Sequence, residues 1–270
     1  MFGRADGIIH STGEFVVFCD SDDYLPQNAI SNLVKAYSNL ESDMIIGNFA
    51  MTYDGTKEIP NFNRLGTGVH NGRDILINQI DDGTLSGMLI SSMCGKLYKK
   101  SILEKFVNEI NTNVRINEDG MFNTMYILKS KRILVIDEIT YVVRCWKHVE
   151  NIIYFQPEGY YDLADKELEK MKNYWPNQNN YELQMKRRHV SEAFWQCNKS
   201  ARALGFWDSY RYISKSFDEL NQTVNYSIME PKKMRSYKKV LLFLMKNRCK
   251  LTFLIICRWI APKLRAKIAR

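Results

Sequence analysis

Three aspartates within four residues follow an apolar run near the start of the chain. The run covers residues 15–19, and the aspartates are Asp20, Asp22 and Asp23. Carboxylates this close together repel one another unless a positive group lies among them. Clustered oxygen ligands suit Mg²⁺ or Mn²⁺, ions that usually take one or two protein carboxylates and leave other positions to water and phosphate. The pattern therefore predicts a divalent-cation site holding a diphosphate, although a solvated loop in which Asp23 caps the next helix is the alternative.

A second acidic pair, Glu118 and Asp119, comes directly before the apolar residues 121–128. Carboxylates at the start of a helix are stabilised by its free N–H groups and its dipole, so a capping role is one interpretation. A carboxylate in a cleft can also act as a general base that removes a proton from an attacking hydroxyl. A cation site and a proton acceptor together predict group transfer from a phosphate-activated donor.

Strands and helices alternate in the first part of the chain, and they would position these residues. Residues 14–19 are apolar on both faces, which is typical of a central strand. A helix is predicted from Pro26 to about Asn39, and a second strand over 44–49. This β-α-β unit predicts a parallel sheet, and ligands of such sheets bind beyond the carboxyl ends of the strands.

Further elements follow from the same patterns. Residues 53–72 are predicted as a surface loop. Helices are predicted over 73–80, 101–108 and 120–130, strands over 133–136 and 140–146, and then only helices, over 160–174, 181–204 and 207–220. The fold class is therefore α/β followed by an α-helical region. The predicted divisions are 1–155 for the α/β domain, 156–230 for a helical region and 231–270 for basic amphipathic helices.

Length, composition and cysteine content indicate the general class of this protein. The chain has 270 residues, 45% of them apolar, and a net charge of +8, so it can bury a core. The six cysteines include no C-x-x-C pair, which favours reduced thiols in a cytoplasmic protein. We find neither a signal-peptide pattern nor an apolar stretch of membrane-spanning length.

The end of the chain is strongly basic, since every charged residue after Glu230 is Lys or Arg. Apolar residues alternate with these cations over residues 232–270, as in helices that lie at an anionic membrane surface. Helices packed on the protein with a solvated basic face remain an equal alternative. Nucleic acid is not predicted as a partner, because no recognition motif accompanies the charge.

Three segments carry a family resemblance. The run GRADGIIHSTGEFVVFCDSDDYL, residues 3–25, resembles the D-x-D region of inverting family 2 glycosyltransferases with the GT-A fold. INEDGMFN, residues 116–123, resembles the family's E-D motif, and CGKLYKKSIL, residues 94–103, its N-K-L-Y stretch. The family has a nucleotide-binding segment ahead of these motifs, so the resemblance implies an incomplete GT-A (Rossmann-like) sheet lacking its leading strands.

The resemblance also implies roles for individual residues. Asp20, Asp22 and Asp23 match the residues that contact the nucleotide-sugar donor and its Mg²⁺ or Mn²⁺. Arg4 matches an arginine near the donor, while Ala5 stands where the family usually has Asn. Lys96, in the third segment, is either a donor- or acceptor-site residue or only a solvated lysine.

Asp119 matches the family's catalytic base, with Glu118 as its acidic neighbour. The implied reaction is sugar transfer with inversion to a polysaccharide or lipid-linked glycan acceptor, in the cytoplasm and peripherally at the inner face of the cell membrane. The alternative hypothesis is a catalytically silent remnant or a membrane-binding partner subunit of a complete transferase.

Overall fold

The computed structural model describes residues 2–53, 55, 57–114, 116–145 and 161–260. They divide into two compact units. The first unit holds the described residues of 2–79 and 88–145 together with 161–178, and the second holds 80–87 and 179–260. The predicted α/β class with a helical C-terminal region is confirmed.

The first unit is built on a six-stranded sheet. Its elements in chain order are α1 (Phe2–His10), β1 (Phe15–Val16), α2 (Ala29–Asn39), β2 (Met44–Thr52), β3 (Glu58–Asn61), β4 (Gly68–Asn71), α3 (Gly72–Leu76), β5 (Lys96–Lys99), α4 (Lys100–Leu103), α5 (Glu118–Leu128), β6 (Arg132–Arg144) and α6 (Asp162–Met171). The strand order is β1-β5-β2-β6-β4, and β3 pairs with β2. Only β2 and β6 pair in parallel, while the other ladders are antiparallel.

The prediction of a parallel sheet is therefore corrected to a mixed one. β1 and β2 do run in the same direction, as the β-α-β pattern predicted, but β5 lies between them and is antiparallel to both. The predicted strand over 14–19 shortens to Phe15–Val16, and beyond it Phe18 makes an isolated bridge with Cys94. The chain then turns at the aspartates, where the Asp23 N–H donates to the Asp20 carbonyl.

Two other predictions about strands are wrong. Residues 53–72 contain β3 and β4, which were missed because they are short and lack a buried face: every residue of β3 is exposed. Residues 132–144 form one strand, not two. Asp137 lies between the two predicted strands, at a register irregularity of the β2–β6 ladder, where the Asn48 side-chain amide donates to its carbonyl and carboxylate at 3.0 and 3.2 Å.

Different side chains pack each face of the sheet. α2 covers one face, where Leu33 joins the buried strand residues Ile45 and Leu97. On α5, Phe122 and Tyr126 belong to a group of edge-to-face rings that also contains Phe18, Tyr98 and Phe106. Burial of apolar area on both faces of the sheet stabilises the positions of the aspartate-bearing turn and of the start of α5.

The second unit is helical. It contains α7 (Gln178–Ala203), α8 (Phe206–Thr223), α9 (Ser236–Lys246), α10 (Lys250–Ile255) and a π-helical turn over Ile256–Ile260. The core includes Phe194, Phe217 and Phe253, all fully buried. Among the helices that the structure describes, none is long and apolar enough to cross a membrane.

Candidate active site

The arginine of the first motif joins the two acidic motifs. The guanidinium of Arg4 donates to Asp20 Oδ1 at 2.5 Å and also to Asp119 Oδ1. Asp20 follows β1 and Asp119 lies in the first turn of α5, so tertiary structure brings together residues far apart in the chain. The two carboxylates raise the pKa of Arg4 although burial opposes its charged form. The positive group among the acidic residues is thus, in this structure, a protein side chain.

The local backbone presents Asp119 to this site. Asn117, which precedes α5, has a left-handed backbone with φ 55°, a conformation that Asn adopts more easily than most residues. The second oxygen of Asp119 accepts from the Met93 N–H at 3.3 Å. The Asp119 side chain is 20% exposed, so it remains reachable by a substrate hydroxyl.

A loop clamped by buried polar groups carries Met93. Asn123 on α5 donates to the carbonyls of Ile90 and Ser92, at 3.3 and 2.9 Å, and accepts from the Tyr98 hydroxyl at 2.7 Å. Asn123 and Tyr98 are both fully buried, so breaking one of these bonds would leave a buried polar group unpaired. The clamp fixes the N–H group that orients Asp119.

Strand β6 holds the third aspartate of the cluster. The Tyr141 hydroxyl donates to Asp23 Oδ2 at 2.5 Å and accepts from the Asp20 N–H at 3.3 Å. The Arg144 N–H donates to Asp23 Oδ1 at 2.9 Å. No sequence motif marks Tyr141 or Arg144, and only the position of β6 in the sheet brings them to the aspartates.

Asp22 differs from its neighbours. It is exposed, and no described side chain forms an ion pair or hydrogen bond with it. No group of three or more His, Cys, Asp or Glu is placed to hold a metal ion in the described parts of the chain. One free carboxylate still fits Mg²⁺ or Mn²⁺, since such ions often bind through one or two carboxylates plus substrate phosphates. Asp20 and Asp23 remain predicted ligands, each bonded to protein groups in this structure.

Lys96 is buried, so the interpretation as a solvated lysine is wrong. Its side chain is 7% exposed and donates to the Cys94 carbonyl at 3.2 Å. Burial lowers the pKa of Lys96 to about 8, against the attraction of Asp119, which raises it. A buried amine close to a carboxylate makes the charge of the site sensitive to alkaline pH.

This lowered pKa predicts a pH dependence of stability. Between about pH 8 and 10.5 the unfolded chain holds a proton on Lys96 that the folded chain has released, so the free energy of unfolding should increase with pH through this group. Lys96→Met should remove that increase. Urea denaturation at pH 8 and 9.5 measures it, with the exposed Lys105→Met as the matched control. An equal slope in Lys96→Met and the parent chain would contradict the prediction.

A cavity of about 400 Å³ opens beside the start of α5. It is lined by apolar side chains of α5, among them Met121 and Met125, and by Glu118, the sequence neighbour of Asp119. The lining also includes Glu167, which is buried and accepts from Asn111 at 2.8 Å. Burial raises the pKa of Glu118, and the adjacent charge of Asp119 raises it further. The cavity combines apolar surface with fixed polar groups, as small-molecule sites commonly do.

Comparisons with known proteins bear on the family and the fold of this chain. Residues 3–107 match the model of glycosyl transferase family 2. Glycosyltransferase GlyA of Streptococcus pneumoniae is 26% identical over 148 residues, which are 53% of this chain and 21% of the relative. Poly(ribitol-phosphate) beta-glucosyltransferase of Bacillus spizizenii is 26% identical over 172 residues, 63% of this chain and 25% of the relative.

A third relative and a solved structure extend the comparison. Poly(ribitol-phosphate) beta-N-acetylglucosaminyltransferase TarP of Staphylococcus aureus is 25% identical over 140 residues, 52% of this chain and 40% of the relative. The chain thus spans well under half the length of these curated relatives. The crystal structure of S. aureus TarS 1–349 with UDP-GlcNAc matches with a TM-score of 0.58 and 17% identity, over 94% of this chain and 69% of TarS 1–349.

Proposed function

Starting from a chain that belongs to glycosyl transferase family 2 and has the GT-A fold, we propose that it transfers a sugar from a UDP-linked donor to a polymer acceptor. The observation that carries this proposal is the contact of Arg4 with both Asp20 and Asp119. Because one guanidinium contacts both carboxylates, Asp20 and Asp119 lie close together. This supports a site in which Asp20 contacts the donor and Asp119 the acceptor. TarS, which has a similar fold, was crystallised with UDP-GlcNAc and with UDP, and this supports a UDP-linked donor.

Asp119 is the proposed general base. Its carboxylate takes the proton of an acceptor hydroxyl, the hydroxyl oxygen bonds to the anomeric carbon, and the bond from that carbon to the diphosphate oxygen breaks. Attack from the side opposite the departing UDP inverts the anomeric carbon. The Met93 N–H and Arg4 orient the carboxylate, and each of its oxygens keeps a further lone pair for the substrate proton.

The donor's diphosphate belongs at the aspartate turn. Asp22 would hold a Mg²⁺ or Mn²⁺ ion there, with Asp20 and Asp23 as further ligands. The chemistry that such an ion supplies when bound is compensation of the charge that develops on the departing diphosphate. Arg4 adds a fixed positive charge on the same side. Tyr141 keeps the turn in place through Asp23.

The cavity next to Glu118 is the proposed acceptor site. Glu118 lines this cavity and lies next to Asp119 in the first turn of α5, which supports an acceptor unit held near the proposed base. The relatives named for poly(ribitol-phosphate) support a polymer with many hydroxyl groups as acceptor. A cytoplasmic location and a role in building cell-envelope polysaccharide are parts of the same proposal.

Titration calorimetry with UDP tests the donor site. We expect UDP to bind in the presence of Mn²⁺ and to bind weakly or not at all when Mn²⁺ is left out. Asp22→Asn should remove this Mn²⁺ dependence, because it removes the only carboxylate of the turn that has no protein partner among the described residues.

Asp6→Asn is the matched control, since Asp6 is an exposed aspartate in α1. Absence of UDP binding by the parent chain under both conditions would instead favour the alternative of a catalytically silent chain. Mn²⁺-dependent binding that survives in Asp22→Asn would reject Asp22 as the ligand.

A further inference from the structure

Large apolar side chains are exposed along the last helices of the second unit. Phe243 is 62% exposed and Trp259 is 48% exposed. Their exposed apolar neighbours are Tyr237, Val240, Leu251, Ile255 and Ile260. These helices also supply the fully buried residues Met245 and Phe253, so the exposed side chains are additional to the apolar face that packs into the core.

On α9 the exposed apolar residues share their face with lysines. Leu241, Leu242 and Met245 point into the core, whereas Val240 and Phe243 lie on the opposite side, three residues apart. Lys239 and Lys246 are also exposed and flank Phe243 on that side, four residues before and three residues after it. Neither lysine forms an ion pair within the part of the chain that the structure describes.

The next helix continues the pattern. Leu251, Ile255 and Trp259 follow one another at intervals of four residues, so they form a stripe on one face. The Trp259 ring stacks on Phe206 at the start of α8, with ring centroids 5.9 Å apart and planes inclined by 25°. The Arg258 guanidinium lies 5.8 Å from the centroid of the same ring. Exposed aromatic rings and cations thus occur together at this end of the unit.

The positive charge of this segment indicates which kind of surface binds the exposed apolar residues. Every charged residue after Glu230 is Lys or Arg, including four in residues 261–270, whose structure is not described. Asp218 is the acidic residue that α8 brings to this segment, and it is already paired with Lys250 at 2.7 Å. Lysines are depleted in the cores of protein–protein interfaces. Apolar side chains between unpaired lysines are typical of surfaces that lie in the headgroup region of an anionic bilayer.

We propose that Tyr237, Lys239, Val240, Phe243, Lys246, Leu251, Ile255 and Trp259 form a membrane-binding surface for bilayers that contain anionic lipids. The apolar side chains enter the boundary between headgroups and acyl chains, and the lysines contact lipid phosphates. Trp259 is suited to this depth because its ring is apolar and its indole N–H is polar. The inference goes beyond sugar transfer and does not depend on it.

Vesicle sedimentation tests the proposal with the full chain, measured without donor or acceptor. The chain should sediment with vesicles of phosphatidylcholine and phosphatidylglycerol and remain in solution with phosphatidylcholine alone. Phe243→Glu and Trp259→Glu should each abolish sedimentation. Lys239→Gln and Lys246→Gln should each weaken it roughly fivefold, as expected for one lysine at an anionic surface.

Phe62→Glu is the matched control, because Phe62 is 67% exposed in the first unit and undergoes the same chemical change. It should sediment like the parent chain, and unchanged thermal denaturation should show that all variants fold. Three results would overturn the proposal: no sedimentation of the parent chain, equal loss in Phe62→Glu and Phe243→Glu, or a self-association in solution that Phe243→Glu abolishes. Sugar transfer is assayed separately, so either proposal can fail without the other.

Discussion

Asp119→Asn should reduce the rate of sugar transfer by about 10²–10⁴-fold, the usual contribution of a general base. The amide has nearly the shape of the carboxylate and its oxygen can still accept from Arg4, but it cannot take a proton from an acceptor hydroxyl. UDP binding should persist, because the turn from Asp20 to Asp23 is unchanged. Transfer of a radiolabelled sugar from a UDP-linked donor to a polymer acceptor, the reaction proposed above, measures the rate, and calorimetry measures UDP binding.

Asp6→Asn makes the same chemical change at an exposed position of α1 and should leave the rate unaltered. Glu118→Gln separates the two acidic neighbours: if Glu118 only lines the acceptor cavity, the KM for acceptor should rise more than kcat falls. Transfer by Asp119→Asn at the parental rate would show that another group takes the proton.

Gly95→Ala should be the most destabilising single methyl addition near the site. Gly95 has φ 66°, and a Cβ there would lie 2.4 Å from the Tyr141 Cβ. The left-handed backbone costs about 1–2 kcal/mol for a residue with a side chain, and overpacking adds roughly 1–3 kcal/mol. Displacing Tyr141 would also release its hydroxyl from Asp23. Urea denaturation and UDP titration should therefore show losses of both stability and donor binding.

Gly55→Ala separates the backbone cost from the cost of overpacking in the loss of stability. Gly55 also has a positive φ, 77°, but among the described residues no atom lies within 4 Å of the added Cβ, so only the backbone cost applies. Its loss of stability should be clearly smaller, and UDP binding should not change. If the two variants lose the same stability, the contact with Tyr141 is more easily relieved than the structure indicates.

Local sequence patterns predicted a helix or strand where the residues that define it are adjacent in the chain. The α5 helix begins at Glu118, two residues from the predicted start, because the acidic pair and the apolar run are adjacent in sequence. α2 begins at Ala29, three residues after Pro26. Strand β3 gave no such signal, since it is exposed throughout and is defined only by its pairing with β2.

The same distinction between local sequence and tertiary packing applies to the exposed side chains. The basic character of residues 232–270 is a property of composition, whereas exposure is decided by packing. Trp207 lies in a segment where apolar residues recur at helical spacing, yet it is 69% exposed. Periodicity identifies which residues share a helix face, and it does not say whether another element covers that face.

The sequence by itself determined the chemical groups that this protein offers: carboxylates after a strand and a second acidic pair at a helix start. It also contains the segment, residues 3–107, that matches the model of glycosyl transferase family 2. Tertiary structure alone decided how these groups are assembled. Arg4 contacts Asp20 and Asp119, Tyr141 donates to Asp23, and Lys96 is buried and interacts electrostatically with Asp119. The physical reason is that residues distant in the chain meet only when the sheet pairs and its faces are covered. Their contacts, burial and pKa values depend on that packing and not on local sequence.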